Sequence, residues 1–519
     1  MTAGSSRSMA KPPTTNPKLA TRPRRAVITQ PAEPLEIPPR TWMVWAISIS
    51  LFIAFIRVLA LRNSPLDLLP DEAQYWSWSR HLAFGYFSKP PVIAWLISAT
   101  TALASNDEWG VRLGAPLVHA ATGVAVAFIG RAAFNERVGF FAALIYATLP
   151  GVIFSGLVIS TDVPLLFFWA VALLAIWQVW TKPDWRWAAL LGAAFGLGFL
   201  AKYAMGYFLL GFLVFIALGS REPLKACWRY LLLATAVALA FIVPNLIWNA
   251  SHGWATVGHT AANADWSQGG LHLGEAAAFA GAQFGVFGPI LLVALIVRLA
   301  LWRRDPPNMA ERFLLAFAVP VLVIMIVQSG ISRAHANWAA VSYIAGTVLV
   351  VGWLDRIQQP WPVRISLILQ LVAFGVFTTF FAGAIHYSLP ESVDIFHQMR
   401  GWRSLSHIVE RRLLAAPTDV TVAADDREVM AELDYYLRAR GFPLAIATGN
   451  GPPGNQFELE NPVTAANGAH VLLIARYEDR HDILDKFADH KLTDTLRVTA
   501  GQGRQRDYFI YDLSGFKGN

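Results

Sequence analysis

Apolar residues fall along this chain in runs of about 20, the length at which a helix crosses the hydrocarbon core of a bilayer, with polar residues crowded into the breaks between them. The runs predict spans at residues 41–61, 111–131, 138–157, 162–180, 186–201, 203–219, 229–247, 276–300, 312–329, 336–353 and 363–385. Two stretches depart from this rhythm. Residues 62–110 hold Ala73–Leu82, then Lys89-Pro90-Pro91, then the apolar Val92–Leu103, which is too short to cross. Two surface helices lying in the membrane interface are expected there, with the Pro pair opening the second. Beyond residue 385 the period changes. Asp419–Ala424 and Pro443–Ala447 have a strand pattern on either side of a helix pattern at Asp426–Arg440. His470–Ile474, Asp479–Asp489, Leu492–Val498 and Asp507–Tyr511 continue the alternation, which predicts a small α/β domain over 386–519. The run Gly449–Gly454 is read as a loop, because it lacks the glycine spacing and the Lys-Ser/Thr ending of a phosphate-binding loop.

Eleven crossings put the two chain ends on opposite sides. Residues 1–40 are rich in Pro, Ser, Thr and Arg, which reads as a disordered basic tail. Its length and polarity do not suit the start of a cleaved signal peptide, so 41–61 is read as a retained helix. Alternate breaks then carry Arg131 and Arg137; Lys182 and Arg186; Arg221, Lys225 and Arg229; Arg298, Arg303, Arg304 and Arg312; Arg356 and Arg364. The breaks between them are poorer in basic residues, and 248–275 has none. Lys and Arg stay on the cytoplasmic side, so the tail is expected in the cytoplasm and 386–519 outside it. On that map Asp71, Glu72, Lys89, Asp162, Lys202, His252, His259, Arg333 and His335 all fall on the external side, which points to one site at the outer boundary of the membrane. The parity turns on 186–219; a single crossing there inverts everything downstream.

Composition agrees with a polytopic membrane protein. The chain is 55% hydrophobic and 15% charged, against about 25% charged in soluble domains, and its mean hydropathy is +0.43. The net charge of +7 lies largely in the tail and the topological loops and does not indicate a nucleic-acid partner. Cys227 is the single cysteine, which excludes an intrachain disulfide.

Ionisable groups at membrane depth are costly and call for a functional reading. Asp71, in Pro70-Asp71-Glu72, suits a general base toward a hydroxyl or a stabiliser of positive charge on a sugar ring; it equally suits the start of a helix. Lys89, ahead of a helix N-terminus, suits a phosphate, or a side chain snorkelling to the interface. Lys202, between two apolar runs, needs an anion or an aqueous cavity, and Arg333 suits bidentate contact with phosphate; both otherwise serve topology, although their assigned side is the wrong one for that. Asp162, in Ser160-Thr161-Asp162-Val163-Pro164, also fits a helix cap. The histidines show no close metal-ligand pairing, and no nucleophile elbow or cysteine nucleophile is visible. Acids and cations together at an outer interface imply group transfer from a lipid phosphate.

The runs Leu69-Pro70-Asp71-Glu72-Ala73-Gln74-Tyr75-Trp76, Gly85-Tyr86-Phe87-Ser88-Lys89-Pro90-Pro91 and Ser160-Thr161-Asp162-Val163-Pro164-Leu165 resemble the bacterial relatives of the protein O-mannosyltransferases, a group that includes the lipid A aminoarabinose transferase. Lys202-Tyr203, Pro244–Asn249 with His252-Gly253-Trp254, and His335-Ala336-Asn337-Trp338 with Tyr343 extend the resemblance over roughly 41–385. It implies a mainly α GT-C-type catalytic domain at 41–385, of about 11 transmembrane helices, carrying the external α/β domain. It also implies an inverting glycosyltransferase of the bacterial inner membrane, with its active site and C-terminal domain in the periplasm. The donor would be a polyprenyl-phosphate sugar and the acceptor a glycolipid, favouring lipid A or its core, or another glycan or a protein. By the same resemblance catalysis falls to Asp71, with its motif neighbour Glu72 grouped with it as catalytic; by position Lys89, Lys202 and Arg333 would serve the donor phosphate, and Tyr86, Asp162, His335, Asn337 and Tyr343 would line the substrate site. Metal use varies among such enzymes, so no metal site and no cofactor is assigned and a divalent cation stays open. The rival readings are a protein O-glycosyltransferase of the same fold, a polyprenyl-lipid flippase or transporter, and a receptor acting through the external domain. Intramembrane charges suit a transporter, but transporters more often show internal repeats and midplane sites.

Overall fold

A computed structural model of the chain describes residues 39–219, 222–264, 270, 272–332, 334–384, 394–415, 419–501 and 503–518. The expected disordered tail lies almost wholly outside the described residues.

All eleven predicted spans are helical, but they are not eleven equal crossings. Among the described residues six helices are long and apolar enough to cross a membrane, or seven if a bent pair is one span. In chain order the first elements are α1 (Pro39–Asn63), α2 (Pro70–Ser79), α3 (Val92–Leu103), α4 (Glu108–Arg112), α5 (Gly114–Ala133), α6 (Glu136–Thr148), α7 (Pro150–Ser155), α8 (Asp162–Thr181), α9 (Trp185–Ala201) and α10 (Tyr207–Leu218). They are followed by α11 (Glu222–Ser251), α12 (Ala255–Ala264), α13 (Leu273–Val286), α14 (Pro289–Ala300), α15 (Met309–Ile331), α16 (Ser342–Arg356) and α17 (Trp361–Phe381). The departures from the expected spans have local causes. The run 138–157 breaks into α6 and α7 at Leu149-Pro150, because proline has no N–H to continue the ladder and sits well at a helix start. The run 276–300 bends by 115° between α13 and α14, where Gly288 takes a φ of +92° and Pro289 opens the next helix. Short and broken helices are tolerated at membrane depth where protein surrounds them, and α16, only 15 residues long, has thirteen of them buried, Ser342 to Leu354.

The packing sorts the loops into two ends. At one end Arg298 and Glu311 form a fully buried ion pair at 2.7 Å. Arg356 bonds Glu311 at 2.8 Å and Asp305 at 2.5 Å, and Arg137 approaches Asp355 at 3.6 Å. These contacts tie the 131–137 turn and the ends of α14, α15 and α16 together. The other end gathers residues 66–72, 84–91, 112, 159–162, 202, 245–256 and 337, as described below. Between the two ends aromatic side chains fill the bundle; Trp169, fully buried on α8, meets Phe208 of α10 edge-on at 5.2 Å.

The C-terminal part carries α18 (Trp402–Ala415), β1 (Thr421–Ala424), α19 (Arg427–Leu437), β2 (Leu444–Ile446), α20 (Gln456–Glu460), β3 (His470–Ala475), α21 (His481–Leu484), β4 (Phe487–Thr499) and β5 (Gln505–Phe516). Its sheet has the order β2-β1-β3-β5-β4. β1 runs parallel to β2 and β3, and β5 is antiparallel to β3 and β4. The helix expected at 479–489 shrinks to α21, because Phe487 already enters the long β4–β5 hairpin. Helix α18, absent from the sequence reading, is amphipathic: Trp402, Leu405, Val409 and Leu413 recur at helical spacing and are buried.

This domain does not hang free. One hydrophobic cluster runs from Trp76, Tyr86, Ile97 and Ala115 of the first long loop and α5 into Leu433, Ile446 and Ile474. Trp76 meets Tyr435 edge-on at 5.1 Å. The helix α2, expected to lie in the membrane interface, is therefore covered by α19.

Glu432 of α19 is fully buried with both carboxylate oxygens unpartnered. Burial, with Asp67 and Glu72 nearby, holds its carboxyl well above the ordinary range. The sign follows. Folded and unfolded chains bind the proton alike below the unfolded value of about 4.3, and the folded state loses stability as pH rises above it. Thermal unfolding in detergent should show wild-type stability falling from about pH 5 to about pH 7, and Glu432→Gln should flatten that slope.

Candidate active site

The loop that leads into α2 is clamped from both sides. Glu72, 1% exposed, receives Arg112 of α4 at 2.7 Å, itself 1% exposed. Its other contacts are the N–H groups of Leu69 and Ile159, each at 2.9 Å. Arg112 spends its remaining donors on the carbonyls of Leu66 and Asp67. On the other side Asp67 accepts the N–H of Trp402 at 3.0 Å and of Arg403 at 3.3 Å, capping the start of α18 across the domain boundary. The Tyr436 hydroxyl accepts from the N–H of Leu68 at 3.1 Å.

That clamp aims Asp71. Adjacent residues of a helix point about 100° apart, so with Glu72 turned inward Asp71 turns out. Its side chain is 59% exposed and is met by Arg427, the first residue of α19, at 2.8 Å. Arg427 also donates to Gln74. The sequence reading grouped Asp71 and Glu72 as the reactive carboxylates. The structure separates them: Glu72 is consumed by Arg112 and by main-chain donors, so it anchors, and only Asp71 faces the opening.

The second strand of the site is the loop 80–91. Asn245 of α11 donates to the Phe84 carbonyl and Thr256 of α12 to the Tyr86 carbonyl, each at 2.6 Å. From the other side the Phe87 N–H donates to Gln456 of α20 at 2.6 Å. Gly85 is required by close approach, since a Cβ there would stand 2.4 Å from the Trp248 ring. The loop presents Lys89, mostly buried. Desolvation, reinforced by the like charge of Lys202, lowers its pKa, while Asp71 and Asp162 oppose the shift. Its ammonium makes no ion pair with a described residue.

Asp162 opens α8 and accepts Lys202 Nζ at 2.7 Å on one oxygen and Asn337 Nδ2 at 2.6 Å on the other. Lys202 ends α9 in extended conformation, and Tyr203 behind it bonds Asn245 at 2.8 Å. Asp71, Lys89, Asp162 and Lys202 thus sit within electrostatic reach of one another at one end of the bundle. His335 is exposed beside Trp338, and Arg333 lies outside the described residues. Tyr86 and Tyr343, read from the sequence as substrate ligands, are packed inside instead. Tyr86 is 3% exposed, stacks on Trp78 at 4.7 Å and turns its hydroxyl to the carbonyls of Trp78 and His81. Tyr343 is 2% exposed, stacks on Phe287 at 4.3 Å and donates to Gln283 at 2.7 Å. Among the described residues no group of three or more His, Cys, Asp or Glu side chains is placed to hold a metal ion.

The sequence reading missed Arg112, Arg427 and Gln456. Arg112 lies 40 positions from Glu72, and the other two sit more than 350 positions from their partners. Between them the site combines one exposed carboxylate, two ammonium groups and an opening to solvent, an arrangement that neutralises a leaving phosphate and accepts a proton.

A family model described as dolichyl-phosphate-mannose-protein mannosyltransferase matches residues 88–248. The lipid A galacturonosyltransferase RgtD of Rhizobium johnstonii is 34% identical over 437 residues, covering 84% of this chain and 91% of that one. The undecaprenyl phosphate-α-4-amino-4-deoxy-L-arabinose arabinosyl transferase 2 of Pseudomonas fluorescens is 29% identical over 40% of this chain and 41% of its own. Among solved structures, ArnT from Cupriavidus metallidurans bound to undecaprenyl phosphate shares the fold, with a TM-score of 0.65 over 92% of this chain and 98% of that one at 15% identity.

Two stability measurements check the geometry. Glu72→Ala leaves Arg112 buried and unpaired and should cost about 3–5 kcal/mol, read as a large fall in the melting temperature. Lys89→Met should do the opposite. A base with a lowered pKa penalises the fold at every pH below that value, so the neutral side chain should melt above the wild type at neutral pH, and the gain should vanish near the unfolded Lys pKa of about 10.4.

Proposed function

The chain belongs to the GT-C family of membrane glycosyltransferases that draw their sugar from a polyprenyl phosphate, and on that premise we propose that it transfers a hexuronic acid to a lipid A-type glycolipid at the periplasmic face of the inner membrane. The relative that matches over most of both chains supplies the sugar and acceptor class. The observation that carries the reading is the convergence of an exposed Asp71 with Lys89, Lys202 and Asp162 at one mouth of the bundle. The periplasmic assignment rests on the opposite end, where Arg131, Arg137, Arg298, Arg304, Arg312 and Arg356 collect at helix ends and in the turns that join them.

The polyprenyl phosphate approaches from the membrane, and Lys89 and Lys202 balance its charge. Lys89 is mostly buried and makes no ion pair with a described residue, so a phosphate arriving there replaces lost water at little further desolvation. Asp162 holds Lys202 extended toward the same point, and Asn337 fixes Asp162 from its other side. The acceptor hydroxyl gives its proton to Asp71 as its oxygen attacks the anomeric carbon. The bond from that carbon to the phosphate oxygen breaks on the opposite face, and polyprenyl phosphate leaves with the electron pair. A single displacement of this kind inverts the anomeric configuration. Arg427 keeps Asp71 aimed between turnovers, and the C-terminal domain thereby belongs to the active site.

The test is transfer in detergent, with the purified full chain, a polyprenyl-phosphate hexuronic acid and lipid A, read by mass spectrometry of the lipid. Wild type should add one hexuronosyl residue. Asp71→Asn should lower turnover by about a hundredfold or more with donor binding unchanged. Absence of transfer by the wild type with any polyprenyl-phosphate sugar would favour a lipid transporter, and full activity of Asp71→Asn would remove the proton from Asp71.

A further inference from the structure

Beside Asp71 the first long loop and the C-terminal domain enclose a cavity of about 740 Å³. Its wall is built by Asp71, Arg427, Glu428, Arg476, Arg504 and Arg506, among others. Four guanidinium groups face two carboxylates. The two acids are engaged, Asp71 by Arg427 at 2.8 Å and Glu428 by Arg476 at 2.9 Å. Arg506 is held in place by neutral groups. It donates to the carbonyls of Arg400 and His397, each at 3.0 Å, and lies over the Trp402 ring at 4.4 Å. These contacts orient its charge without cancelling it. A cleft whose lining carries more guanidinium than carboxylate groups focuses its field on an anion, and guanidinium groups read the planar oxygens of phosphate or carboxylate in pairs.

The donor phosphate has its own cations in Lys89 and Lys202, neither of which lines this cavity. Asp71 is part of the cavity wall, so an acceptor held there stands within reach of that carboxylate. We propose that the arginine-lined cavity is the acceptor subsite, and that it selects a glycolipid carrying an anionic group, phosphate or carboxylate, set back from the hydroxyl that reacts. The proposal rests on the transferase reading above and deepens it: the C-terminal domain supplies acceptor specificity as well as Arg427. It also gives Asp71 a reason to open toward this domain.

Arg476 and Arg504 are the arginines to change, since neither bonds Asp71. Equilibrium binding to the full chain in detergent should compare bisphosphorylated lipid A, the same lipid after phosphatase treatment, and a uronic-acid glycolipid without phosphate. In the Arg476→Gln/Arg504→Gln double variant, affinity for the anionic lipid that the wild type prefers should fall roughly tenfold or more. Affinity for the uncharged lipid should not move, and Arg476→Lys/Arg504→Lys should recover part of the loss. Loss confined to the phosphorylated lipid assigns phosphate, and loss confined to the uronic-acid lipid assigns carboxylate. In turnover the same variants should raise acceptor KM and leave donor KM alone. Equal affinity of wild type and the Gln variant for every lipid, or a shift in donor KM in place of acceptor KM, would overturn the subsite. Because binding is read without transfer, a wild type that transfers nothing would sink the enzyme reading and still leave the subsite tested.

Discussion

The ion pair between Glu72 and Arg112 holds the site together. Both side chains are dry, and the desolvation of two charges is recovered only by near-complete bonding. The structure meets that demand: Glu72 takes Arg112 and two main-chain N–H groups, and Arg112 also takes two carbonyls of the 66–67 strap. The pair joins α2, the α4 turn, the strap and the 157–161 connection into one rigid corner. The exposure of Asp71 and the start of α8 at Asp162 both depend on that corner.

From it the chain builds two half-sites. The bundle provides cations and the residues that steady them, with Asp162 between Lys202 and Asn337, and with Asn245 and Thr256 pinning the Lys89 loop. The C-terminal domain provides Arg427 to Asp71 and Gln456 to the same Lys89 loop. The division suits the chemistry. On the proposed reading the donor phosphate would be met by Lys202 at a helix end and Lys89 on its pinned loop, and the acceptor by groups of the sheet domain. Lys89 itself is held at a cost in stability, a pattern found where a group is kept ready for a ligand.

Much of this was legible from residue type and spacing. Apolar runs located the helical segments because a membrane demands length and hydrophobicity, and the change of period after 385 located the strands. The positive-inside pattern put Asp71, Lys89, Asp162 and Lys202 on one side, and the structure gathers them at one end of the bundle. Three of the expected site residues, Glu72, Tyr86 and Tyr343, turn inward, because spacing does not say which way a side chain points. Glu72 sits one position from Asp71, and one helical step turned it into the core. The eleven apolar runs are helical but unequal. Pro150 and the Gly288-Pro289 pair break their helices, and burial in the bundle lets α16 be short, neither of which hydropathy alone registers.

Alone, the sequence determined that this is a membrane protein with a soluble C-terminal α/β part, that its unusual charges share a side, and that Asp71 and the lysines are the groups to watch. These follow from local rules of length, period and charge, which act within a few turns of chain. The tertiary structure decided which carboxylate is free and which is structural. It also decided that Arg427 and Gln456, more than 350 residues downstream of their partners, complete the site, and that four arginines face one cavity. Those outcomes depend on the packing of α19 against α2, a contact between segments far apart in the chain that no local pattern encodes.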